Sequence, residues 1–124
     1  MKRTDHDATG KQFVAEVLRC YRLLPHTPVR SSRNDRRIAS QLFDLQVPLD
    51  AVKAAFVLAI SRRTFRADDA LPLEPIRSLA YFLPIVNEVQ RDDFEPAYVE
   101  LLKRRLETGF PDLGVHPLET PIPW

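Results

Sequence analysis

The stretch Pro48–Arg66, PLDAVKAAFVLAISRRTFR, decides how the chain folds. At helical spacing Val52, Ala55, Phe56, Ala59 and Ile60 fall on one side. The other side carries Ala54, Val57, Leu58, Ser61 and Phe65, and charge gathers only at the end, in Arg62, Arg63 and Arg66. A helix apolar nearly all round has to be surrounded by protein. The spacing therefore predicts a buried central helix, opened by Pro48 in its first turn, with the other segments packed about it.

Upstream, Gln12–Leu24 places Phe13, Val14, Val17, Leu18, Tyr21 and Leu24 on one stripe, which predicts an amphipathic helix capped near Thr9 and ended by Pro25. Cys20 lies beside that stripe and reads as a small buried hydrophobe. After the loop HTPVR (26–30), Ser32 and Asp35 form a near-match to a capping box. The helix it opens has Ile38, Leu42 and Leu45 as its expected inner face and Arg33, Arg36 and Arg37 as its outer one.

Downstream, ADDALPLE (67–74) reads as a loop. Pro75 is expected to open a helix, PIRSLAYFLPIVNEV, that kinks or breaks at Pro84. A last helix is predicted over about 96–108, with Tyr98, Val99, Leu102 and Leu106 inward and Gly109 as its stop. The fold class expected is all-α: one compact domain of about five helices over residues 1–109. A Pro-rich tail, 110–124, follows, either docked through Phe110, Leu113, Val115 and Trp124 or free for a protein partner.

Composition narrows the function. The 124 residues are 44% hydrophobic and 28% charged, which fits an ordinary soluble domain. The longest uncharged apolar run, Ala54–Ser61, is far short of the roughly 20 residues of a membrane span, so no membrane partner is expected. A single cysteine and the absence of an apolar run behind the basic start point to a cytoplasmic protein. The three histidines lack metal-ligand spacing, the three glycines make no phosphate-cradling loop, and the Asp68–Asp69 and Asp92–Asp93 pairs read as loop and capping residues. No cofactor, metal or enzymatic activity is expected.

Charge is split along the chain. Residues 1–66 hold 13 Lys and Arg against 6 Asp and Glu, and residues 67–124 hold 5 against 11. Arg30, Arg33, Arg36 and Arg37 cluster on the second helix and its approach, and Arg62, Arg63 and Arg66 on the end of the central helix. Arginine holds phosphate oxygens bidentately, so these seven are the candidate nucleic-acid-binding residues. Internal pairing of the same arginines with the acidic half is the competing reading, and it would suit a protein adaptor that uses the acidic half and the tail. The run RRIASQLFDLQVPLDAVKAAF (36–56) has the outline of a helix-turn-helix unit. Its second helix, however, would offer only Ala54, Val57 and Ser61 to base edges, which is the wrong chemistry for reading bases. Tyr81, Phe82 and Arg77 are a candidate base-stacking surface, though aromatics at this spacing more often belong to a core.

The segments YRLLPHTPVRSSRNDRR (21–37), VPLDAVKAAFVLAISRR and PIRSLAYFLPIVNEV resemble a group of small bacterial proteins associated with mobile elements. More loosely, they resemble helical segments beside the winged-helix domains of plasmid and phage replication initiators. The resemblance covers most of residues 18–106 as a pattern of helices. It implies an accessory, DNA-linked role in replication or maintenance of a mobile element.

Overall fold

The computed structural model describes residues 3–25, 27–28, 30–66, 71, 73–109 and 122–124, with side chains from Thr9 onward. The expectation for the tail falls largely on 110–121, outside the described residues. The elements are α1 (Arg3–Arg22), α2 (Arg33–Asp44), α3 (Leu49–Thr64), a 3-10 turn (Leu79–Phe82), α4 (Leu83–Asp92) and α5 (Pro96–Thr108), with no strand among the described residues. The fold is all-α, and no described helix is long and apolar enough to cross a membrane.

The central helix α3 packs against α1, α4, α5 and the 3-10 turn. Val52 and every residue from Ala54 to Ser61 are buried, on all sides of the helix, as the sequence predicts. Phe56 is the hub. Its ring meets Phe82 edge-on at 4.8 Å and Trp124 at 6.1 Å, and Tyr21 closes on Phe82 at 6.0 Å. Such tilted aromatic pairs are favoured over parallel sandwiches by their quadrupoles. Pro48 stands at the N-cap of α3 rather than inside its first turn.

Several expectations are corrected. Helix α1 begins at Arg3, so Thr9 lies inside it and does not cap it. Gly10 shows why the early part of that helix has a structural use: a Cβ there would sit 3.1 Å from the Phe43 ring, and the missing side chain lets α1 come close to α2. Leu45 is not on the inner face of α2. It is the C-cap residue, 73% exposed, because the helix ends at Asp44 and Gln46 turns left-handed at φ 62°.

No helix starts at Pro75. Residues 73–77 are irregular, Ser78 caps the 3-10 turn by accepting from the Ala80 N–H, and α4 begins at Leu83. Pro84 explains the division. It has no N–H to give and its ring crowds the carbonyl four residues back, so it fits in the first turn of a new helix and not in the middle of an older one. Helix α5 spans Pro96–Thr108 and stops at Gly109 with φ 70°, but Tyr98 is not inward. It lies about 75° round the helix from the line of Val99, Leu102 and Leu106, is 43% exposed, and stacks on Phe94 at 5.7 Å.

Candidate nucleic-acid interface

The hairpin of α1 and α2 carries the basic face. Its connection is tied down by the Thr27 hydroxyl, which donates to the carbonyls of Leu24 (2.7 Å) and Tyr21 (3.0 Å). The start of α2 is fixed by a full capping box: the Asp35 N–H donates to Ser32 Oγ at 3.0 Å, and the Ser32 N–H donates to Asp35 Oδ2 at 2.9 Å. The second carboxyl oxygen of Asp35 has a further use. Oδ1 accepts from the Leu79 N–H at 2.9 Å, and Asp35 is only 1% exposed. One side chain thus caps α2 and pins it to the first free N–H of the 3-10 turn, 44 residues away.

With Asp35, Ile38, Ala39 and Leu42 buried, the opposite side of α2 is forced outward. That side carries Arg33, Asn34, Arg36, Arg37, Ser40, Gln41 and Asp44, all exposed, and Arg30 is exposed on the approach. None of Arg30, Arg33, Arg36 and Arg37 has an ion-pair partner among the described residues. Arg36 and Ser40 share a shallow hollow with Lys11 of α1. Arg22 lies at the edge of the same region and reaches Ser31 Oγ at 3.4 Å.

The other three candidate arginines are used inside the molecule. Arg62 forms a two-point ion pair with Glu88 of α4, Nη1 to Oε1 at 2.8 Å and Nη2 to Oε2, and the guanidinium holds the Glu88 carboxyl below the usual carboxylate range. Arg63 donates to the Glu74 carbonyl at 2.8 Å and to the Tyr81 hydroxyl at 3.3 Å, with its guanidinium 5.5 Å from the Tyr81 ring centre. Arg66 donates to the Leu71 carbonyl at 2.7 Å. These three staple residues 71–88 to the end of α3. Phe82 is a core residue, 1% exposed, so Tyr81, Phe82 and Arg77 do not form one open stacking surface.

A second feature was not visible in the sequence. A cleft of about 640 Å³ opens between α3, α4 and α5, lined by Ala54, Val57, Val99 and Trp124 together with charged residues such as Asp50 and Glu100, with Lys53 and Lys103 near the indole at 5.9 and 5.8 Å. The Trp124 indole N–H donates to the Cys20 carbonyl at 3.3 Å. Lys53 also reaches Glu16 at 3.6 Å, and Arg19 binds the same carboxylate in two places. The Arg19 hydrogen bonds, with help from the charges of Arg19 and Lys53, hold Glu16 at about 2 despite partial desolvation. Burial, reinforced by the Glu16 charge, pushes the Cys20 thiol up to about 11. Nothing short of the packed core shows that Trp124 and Cys20 meet, since they are 104 residues apart.

Comparison with protein-family models, curated proteins and solved structures returns no match.

Proposed function

We propose that the protein is a non-enzymatic nucleic-acid-binding accessory factor that contacts phosphates through Arg30, Arg33, Arg36 and Arg37. The observation that carries this reading is the division among the arginines. Arg62, Arg63 and Arg66 are each hydrogen-bonded to an internal acceptor, whereas the four on α2 and its approach face solvent without an ion-pair partner among the described residues. Arginine at an open face loses little in hydration and gains bidentate contacts when phosphate arrives. The resemblance to proteins of mobile elements makes replication or maintenance of such an element the process proposed for it.

Fluorescence anisotropy with a labelled generic duplex across a salt series tests the reading. About four phosphate contacts correspond to a log–log slope near −3.6, so affinity should fall roughly 100-fold between 50 and 200 mM salt. The Arg33, Arg36 and Arg37 to Ala variant should lose most of that slope, and Arg62→Ala should keep it. Absence of binding at 50 mM salt refutes the proposal.

The second reading is a protein adaptor. It is favoured by the Arg62–Glu88 pair, which spends one of the cations on the acidic half, and by the cleft of mixed apolar and charged lining beside Trp124. A partner would then occupy that cleft, and substitutions at Val57 and Val99, not at the arginines, would abolish its binding.

A further inference from the structure

We infer that α2 reads sequence: its outward side enters the major groove of B-form duplex DNA, with Arg33, Arg37 and Ser40 at base edges and Arg30 and Arg36 on phosphates. This rests on the nucleic-acid reading above and extends it from charge to base recognition. The helix-turn-helix outline in the sequence points to α3 as the reading helix, and α3 is buried at Val52 and from Ala54 through Ser61. The exposed helix of the same run is α2, and its surface has the chemistry that α3 lacks.

The types of side chain matter more than the charge. The outward side of α2 is Arg33, Asn34, Arg36, Arg37, Ser40, Gln41 and, at its far end, Asp44, without a lysine or glutamate among them. Arginine pairs with both acceptors of guanine, asparagine and glutamine pair with both groups of adenine, and serine accepts either edge. A merely solubilising helix face needs no such set; Lys and Glu in alternation would serve.

Angular position assigns the roles. At about 100° per residue, Arg33, Arg37, Ser40 and Asp44 form the ridge directly opposite the buried line of Asp35, Ile38, Ala39 and Leu42. Arg36 lies on one shoulder of that ridge, and Asn34 and Gln41 lie on the other. A ridge inserted into a groove meets base edges first, and its shoulders meet the two backbones. Asp44 is the sole anionic residue on the ridge and stands at its far end, so the N-terminal two turns go deepest. The helix is about 18 Å long, enough to lie along a groove roughly 12 Å wide.

The helix is also held firmly from behind. Asp35 bonds it to Ser32 and to Leu79, and Ile38 and Leu42 are 6% and 4% exposed in the core. A reader fixed on a rigid base loses little freedom on binding.

The test is selection from a pool of duplex DNA with a randomised central segment, followed by sequencing. Wild-type protein should enrich a motif of a few base pairs, and duplex RNA of the same sequence should bind worse, because its major groove is too deep and narrow for a helix. Arg37→Ala should lose preference at one position by roughly 10-fold, whereas Arg36→Ala should weaken all sequences alike and reduce the salt slope by about one. Arg37→Lys retains the charge without the planar fork, so it should retain the salt slope and lose the base preference. Melting followed by circular dichroism shows that each variant is folded. A motif unchanged in the Arg33, Arg37 double variant overturns the assignment to α2. Salt-sensitive binding with no enriched motif overturns base reading and leaves the phosphate contact standing. No binding to any duplex overturns both.

Discussion

Replacing Asp35 by alanine removes two hydrogen bonds, the buried one from the Leu79 N–H and the part-buried one from the Ser32 N–H. The Leu79 N–H is left buried without a partner, at a cost of about 1–3 kcal/mol, and the Ser32 N–H loses its half of the capping box, at about 1 kcal/mol. Together the loss should be about 2–4 kcal/mol, a large share of the roughly 5–15 kcal/mol that holds a domain of this size. In thermal unfolding that corresponds to a midpoint lowered by roughly 10–15 °C. Ser32→Ala supplies the control, because it removes only the bond from the Asp35 N–H to Ser32 Oγ and should cost about 1 kcal/mol. Each variant breaks one of the two reciprocal bonds of the capping box, so the excess cost of Asp35→Ala, measured by urea titration, reports the link to Leu79. Amide exchange at Leu79 should speed up in Asp35→Ala and not in Ser32→Ala. If both variants cost the same and Leu79 remains protected in both, the strut between α2 and the 3-10 turn contributes nothing and the reasoning fails.

Trp124 is the protein's one tryptophan, so its fluorescence reports its own docking. Emission should be blue-shifted in the native state and move to the red on unfolding, and Trp124→Ala should cost about 2 kcal/mol, less than a fully enclosed aromatic, because the indole is only partly buried. Cys20, fully buried and with its thiol pushed up to about 11, should resist a thiol reagent at pH 8 until denaturant is added; rapid native labelling would contradict the packing of α1. Glu16 has a folded value of about 2 against an ordinary 4.5, so its contribution is present above pH 4.5 and is lost as pH falls toward 2. Because both partners are partly exposed, that contribution should stay below about 1 kcal/mol, and Glu16→Gln should flatten the stability curve in this window only.

The parts of the fold that the sequence revealed are those governed by local rules. The all-apolar surface of α3, the Ser32–Asp35 cap and the Pro96-to-Gly109 limits of α5 each follow from residues within a few positions of one another. The misreadings have long-range or geometric causes. Leu45 keeps the inner spacing of α2, but the helix has already ended before it. The period from Ile76 to Val86 continues across Pro84 although the backbone does not, because a 3-10 turn and a helix in succession imitate one helix. For the candidate interface, the sequence names the arginines and leaves pairing of the α3 arginines with the acidic half open, but it does not give their individual acceptors. Nothing in the spacing of Arg62, Arg63 and Arg66 shows that Glu88, the Glu74 carbonyl and the Leu71 carbonyl come to meet them.

The contact between Trp124 and Cys20 bears on how the protein is made. Ribosomes deliver a chain from its N-terminus, and domains begin to organise as they emerge. The α1–α2 hairpin can form early from neighbours in sequence. The indole that abuts Phe56 and caps the Cys20 carbonyl belongs to residue 124, so the edge of the core around α1 and α3 stays open to solvent until that residue has cleared the exit tunnel. Closure of that edge therefore waits on a residue 104 positions beyond Cys20, and a chain lacking the indole would keep its helices around an unsealed core.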